Sequence, residues 1–208
     1  MKVSELTDDD RVWVKERTEL LFGGDFVVSR QEVHDPHKLP GFIAVEGNER
    51  VGLATFNING DECELVTIDS LCQFMGIGSE LLDKVEETAL AAGCKNIWAI
   101  TTNDNLDAQR FFQKRGFVIS SFRIGGMTKI RLLKPSIPRI GYYGLPIRDE
   151  IELAKPLTIR TGLGLESSDE ETENSSRDGE LPDSFAGLFT TGKVIGGFTS
   201  RKGAGKSV

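Results

Sequence analysis

Gly76 and Gly78 lie one residue apart in "CQFMGIGSELL" (72–82), between an extended apolar run and a helix-like one. The first turn of a helix carries unpaired N–H groups and a partial positive charge, and glycine lets a ligand approach the backbone with no Cβ in the way. A phosphate or pyrophosphate suits such a turn; a tight turn without a ligand is the alternative. It is not a dinucleotide fingerprint, whose third glycine would fall on Leu81, nor a Walker loop, since no Lys-Ser/Thr follows Gly78. "GAGKS" (203–207) has Ser200 where a Walker loop needs its first glycine, so it is set aside. Upstream, Glu62 and Glu64 in "ECELVTID" sit two residues apart and so share one face of a strand. They are either carboxylates turned to a site or a solvated face paired with Lys or Arg. His34 and His37 in "HDPHKLPG" have a ligand-like spacing, but no Cys or third His supports them, and a Pro-rich loop without metal is expected.

These residues need elements to hold them. "TDDDRVWVKERTELLFGG" opens on Thr7 as a capping residue and reads as an amphipathic helix stopped by Gly23 and Gly24. Extended runs follow at 41–45, 50–58 and 62–71, with a strong hairpin signal at Asn59-Gly60 and a further candidate strand at 26–31. The period then changes: Ile77, Leu81, Leu82, Val85, Ala89 and Leu90 recur at helical spacing, and Gly93 stops the run. "NIWAI" (96–100) reads as a strand buried on both faces. "NLDAQRFFQKRG" reads as a helix with Asn105 as N-cap and Gly116 beyond its end, and "FVISSF" as strand again. "RIGGMTKIRLL" is a short helix or a loop, and "IRDEIEL" a last strand running antiparallel beside 117–122. The class predicted is an α/β sandwich, with one mixed, mostly antiparallel sheet flanked by helices.

The chain has 208 residues, 38% hydrophobic and 27% charged, enough for one sizeable core. Residues 166–183 hold eight acidic side chains and one Arg, a composition too polar to bury a core, so residues 1–157 are expected to fold and 158–208 to form a disordered acidic, then Gly-rich basic tail. A net charge of −7 argues against nucleic acid as partner, no apolar run suits a membrane span, and the N-terminus is too charged for a signal peptide. Cys63, Cys72 and Cys94 form no CxxC pair, so a reducing, cytoplasmic setting is expected.

"QFMGIGS" resembles the Q/R-x-x-G-x-G/A motif of GNAT-family N-acetyltransferases. The strand "ECELVTID" before it and "NDNLDAQRFFQKRGF" after it look like that family's pieces in the same order, over about residues 40–122. Residues 134–157 are similar to the C-terminal stretch of a bacterial-type subgroup. The resemblance implies a sheet splayed at an acetyl-CoA site, with acetyl-CoA as co-substrate and no metal. Backbone N–H groups of Gln73, Phe74, Met75, Gly76, Ile77, Gly78 and Ser79 would hold the pyrophosphate. Those of Val66, Thr67 and Ile68 would pair with pantetheine, and the Ile68 N–H would polarise the thioester. Asn105 would bond the pantetheine arm, unless it serves only as N-cap. The family also implies Glu64, or Glu62, as the base that deprotonates an amine acceptor, either a small molecule or a protein amine. Members commonly carry a Tyr on the second helix that protonates the thiolate; here that position is Phe112, which cannot donate a proton. Tyr142 and Tyr143 lie far along the chain, in a loop expected near the acceptor end. Direct acetyl transfer is therefore expected, with a non-catalytic acyl-CoA-binding module as the rival. The acceptor would be set around Trp13, Phe22 and Phe26, and a homodimer is left open.

Overall fold

The computed structural model describes residues 1–72 and 75–158. In chain order the elements are β1 (Lys2–Glu5), α1 (Arg11–Phe22), β2 (Val27–Ser29), β3 (Glu32–His34), β4 (Gly41–Glu46), β5 (Glu49–Asn59) and β6 (Glu62–Ser70). Then come α2 (Ile77–Ala91), β7 (Asn96–Thr102), α3 (Leu106–Lys114), β8 (Val118–Arg123), α4 (Gly126–Leu133) and β9 (Glu150–Pro156). Seven strands form one sheet in the order β1-β4-β5-β6-β7-β9-β8, and β2 and β3 form a separate hairpin. Only β6 and β7 run parallel; every other pair in the sheet is antiparallel. This is the expected mixed sandwich. Two placements were not anticipated: β1 adds an edge to β4, and β9 inserts between β7 and β8 instead of lying beside β8 alone. The insertion buries Ile151 and Leu153 one strand in from the β8 edge of the sheet.

The site is positioned chiefly by α2. Its apolar stripe, Ile77, Leu81, Leu82, Val85 and Ala89, is fully or almost fully buried against the sheet. Burying each of the larger side chains is worth about 1.5–3 kcal/mol, so the stripe holds the first turn of α2 firmly on β5. Gly52 allows the approach: a Cβ there would sit 2.5 Å from Ile77 Cγ2. Before the helix, Gly76 takes the left-handed conformation (φ 80°), with open space around it. The capping signal at Thr7 is used as read, since its backbone N–H and hydroxyl both donate to Asp10 Oδ2, at 2.9 and 2.7 Å. The expected tail lies outside the described residues but for its first member. No helix of the described residues is long and apolar enough to cross a membrane.

Candidate active site

Between β6 and β7 the sheet opens. Their parallel pairing covers Glu62↔Asn96 to Glu64↔Trp98 and stops there, although β6 runs on to Ser70 and β7 to Thr102. The cause is local: Thr55 pairs with Thr67 and Phe56 with Leu65, so Val66 is an extra residue in β6, a bulge that bends the strand away from β7. Beyond it β7 is held by β9. The wedge becomes a cavity lined by Val66, Thr67, Ile68, Asn105 and Phe112, with Glu64 at its narrow end. The Asn105 Oδ1 accepts the Ala108 N–H at 3.0 Å, so the N-cap role is realised. Phe112 is 4% exposed and packs its ring against Phe111 and Phe117, at centroid distances of 5.4 and 5.2 Å.

Glu64 is buried, and the hairpin reaches over to it. Ser29 Oγ donates to Glu64 Oε1, while His34 Nε2 stands 3.2 Å from Glu64 Oε2 and 3.1 Å from Ser29 Oγ. All three side chains are at least nine-tenths buried. Burial pushes the Glu64 carboxyl above its ordinary value, and the Ser29 hydrogen bond and the His34 ring pull it partly back. A carboxylate whose pKa is raised by burial binds a proton more readily than one on the surface. Glu62 is set apart from this cavity: it is half-exposed and pairs with Arg30 Nη1 at 3.1 Å. That pairing is the alternative the sequence left open for it.

Arg30 latches the hairpin. Arg30 and Gln31 both have positive φ (44° and 71°), as a two-residue turn requires. The guanidinium lies 3.8 Å over the Trp98 ring and reaches Glu152 through Nε at 3.0 Å and Nη2 at 2.8 Å. This bidentate pair holds the Glu152 carboxyl below its ordinary value.

A groove on the far side of Phe111 runs along the first turn of α2, lined by Ser70, Cys72, Gly76, Ile77, Gly78 and Ser79. The first helical bond there is from Glu80 N–H to Gly76 O, at 3.1 Å, so the N–H groups of Ile77, Gly78 and Ser79 precede any intrahelical pairing. Arg110 and Lys114 of α3 form the opposite wall, one turn apart. Asp107 lines the groove as well, and a helix N-terminus facing two cations suits an anion. Phe111 lines both groove and cavity, so the two spaces adjoin at its ring. Gln73 and Phe74 lie outside the described residues, and Met75 is exposed at the turn, lining neither space.

Arg110 and Lys114 escaped the sequence reading, although their i, i+4 spacing toward the glycine turn was a usable signal. Ser29 and His34 carried none that tied them to Glu64. The "GYYG" loop packs on the start of α3, where the Tyr142 N–H donates to Asp104 and the Tyr143 hydroxyl to Asp107. Of the aromatic residues expected to shape the acceptor end, Phe22 lines the cavity, and Trp13 and Phe26 do not.

The model of the acetyltransferase (GNAT) family matches residues 4–117, just over half of the chain. The chain belongs to the GNAT acetyltransferase family. Among relatives, it is 44% identical over 119 residues to uncharacterized protein YdhI of Bacillus subtilis (57% of this chain, 74% of that one). It is 36% identical over 137 residues to uncharacterized protein YxbD of the same organism (65% and 86%). Solved GNAT structures share the fold. An IAA acetyltransferase from Bacillus cereus superimposes with a TM-score of 0.57 at 20% identity, covering 75% of this chain and 99% of that one. A Bacillus subtilis acetyltransferase in complex with CoA gives 0.53 at 20% identity (76% and 97%). A GNAT acetyltransferase from Elizabethkingia anophelis with acetyl-CoA bound gives 0.54 at 20% identity (75% and 97%).

Proposed function

We propose that the protein transfers acetyl from acetyl-CoA to an amine, with Glu64 as the base. The observation that carries this is the opened β6–β7 wedge: a buried carboxylate stands at its narrow end, and a cation-flanked helix N-terminus lies beyond its mouth. The residues present fit the co-substrate. The amides of Ile77, Gly78 and Ser79, with Arg110 and Lys114, suit a pyrophosphate. The free edge of β6 at Val66–Ile68 suits the amides of a pantetheine arm, and the narrow wedge suits a thioester. Bound there, acetyl-CoA supplies the acyl group in activated form.

Glu64 takes the proton that the amine must lose, with Ser29 and His34 orienting its two oxygens. An N–H of the β6 edge, Ile68 being the candidate, donates to the carbonyl oxygen as negative charge grows on it. A fixed donor of this kind can be worth about 3 kcal/mol. The proton taken from the amine equals the one the departing thiolate needs, and a Glu64 carboxyl of raised pKa can hand it back. The reaction therefore balances without a phenol at position 112.

The second reading, an acyl-CoA-binding module without turnover, draws on Phe112, whose ring is buried among Phe111 and Phe117. Thiol release from acetyl-CoA across an amine panel separates the two. Amine-dependent release is expected; CoA binding without release for any amine would favour the module.

A further inference from the structure

Away from β6 and β7 the cavity is walled by Phe22, Val27, Val28, Met127, Ile130 and Ile137. These come from α1, the hairpin and the segment between β8 and β9, so the walls are apolar and built by three separate parts of the chain. One cation enters this wall. Lys134, just past the end of α4, is 5% exposed, and its Nζ donates to the Phe26 carbonyl oxygen. The ammonium sits 4.6 Å from the centroid of the Phe26 ring. Among the described residues it makes no ion pair. Asp25, the acid whose charge acts on Lys134 from nearby, is engaged by Lys15 at 3.3 Å and forms no ion pair with Lys134.

Neither of the pocket's two acids pairs with Lys134, and burial pushes both carboxyls above their ordinary values. Glu64 accepts from Ser29 beside His34, and Glu150 lies against the first residue of α4, where a Cβ on Gly126 would sit 2.5 Å from its Oε2. An ammonium has three donor hydrogens, and buried charges are ordinarily matched by an opposite charge. Burial pushes the Lys134 ammonium down to about 8, as an unmatched cation requires. The fold thus keeps a buried positive charge, with no ion-pair partner among the described residues, in the wall of the same cavity that Glu64 lines.

Resting on the reading of this cavity as an amine acetylation site, we propose that Lys134 is the counter-charge for an acidic group on the acceptor. The acceptor is then a small molecule with an amine at one end and a carboxylate at the other. The amine goes to Glu64, the carboxylate to Lys134, and an apolar body lies against Phe22, Val28 and Met127.

The test compares matched pairs, 4-aminobutyrate with its amide and L-phenylalanine with its amide. Calorimetric titration into the CoA-loaded full chain reads binding even where turnover is absent, and acetyl-CoA thiol release is measured in parallel. Acids are expected to bind at least tenfold more tightly than their amides, and Lys134→Met is expected to bring that ratio near one. CoA affinity reports that the variant is folded. Equal affinity of the wild-type protein for acid and amide overturns the proposal, and so does a preference that survives Lys134→Met. Acid-selective binding without thiol release for any amine overturns instead the acetyl-transfer reading and leaves the anion site standing.

Discussion

Lys134→Met should make the protein more stable at neutral pH. Burial pushes the ammonium down to about 8 in the folded chain from 10.5 ordinarily, so folding disfavours its charged form. At ~1.4 kcal/mol per unit this is a penalty of ~3 kcal/mol below pH 8. Methionine is of similar length and carries no charge, but it forfeits the hydrogen bond to the Phe26 carbonyl, worth about 1 kcal/mol. A net gain of ~2 kcal/mol remains, or roughly 5 °C in a domain of this size. The sign with pH follows from proton counts. Between the two values the unfolded wild-type lysine holds a proton that the folded one has released, so wild-type stability rises as pH climbs from 8 to 10.5. The variant's advantage should be flat below pH 8 and mostly gone by pH 10. Urea melts of both proteins at pH 7 and pH 10 measure the difference, the other titrating groups being common to both. A variant less stable than wild type at pH 7, or an advantage that does not shrink with pH, would refute the reasoning that this cation is buried without an anion.

Replacing Gly76 by Ala puts a Cβ on a left-handed residue at the groove, at a cost of about 1–2 kcal/mol, and should weaken CoA binding severalfold by calorimetry. The Arg110→Ala, Lys114→Ala double variant should bind CoA at least tenfold more weakly and with a shallower salt dependence; unchanged affinity would remove the pyrophosphate assignment. Arg30→Ala unlatches the hairpin that brings Ser29 and His34 to Glu64, so amine-dependent thiol release should fall while the dissociation constant for CoA holds. Phe112→Tyr should leave CoA affinity within about twofold; a large loss would mean that the bare ring packs on the bound cofactor.

What could be read ahead of the structure was local. The helical period of α2, the Asn59-Gly60 turn and the Asn105 cap each depend on a few neighbouring residues. So do Gly76 and the start of α2, which is why the groove proposed for the cofactor could be read from the sequence. The acceptor side was not, because its partners lie far apart in the chain. Ser29 meets Glu64 across 35 residues, Arg30 meets Glu152 across 122, and Lys134 meets Phe26 across 108. No periodicity encodes such meetings; they follow from where the hairpin and α4 settle once the sheet has formed. The glutamate pair shows the same limit. Alternation put Glu62 and Glu64 on one face, but it could not show that the hairpin buries one and leaves the other paired with Arg30 near the surface.

The central claim is that the buried Glu64 deprotonates an amine for acetyl transfer, and the pH dependence of kcat/KM for thiol release in wild type and Glu64→Gln tests it most directly. Wild type should lose activity on the acid side at a pH above the ordinary carboxylate range, because burial raises the Glu64 carboxyl. Glu64→Gln should bind CoA normally, lose about 100-fold or more in kcat/KM, and lack that acid limb. Turnover within a few fold of wild type, with the same acid limb, would contradict the account.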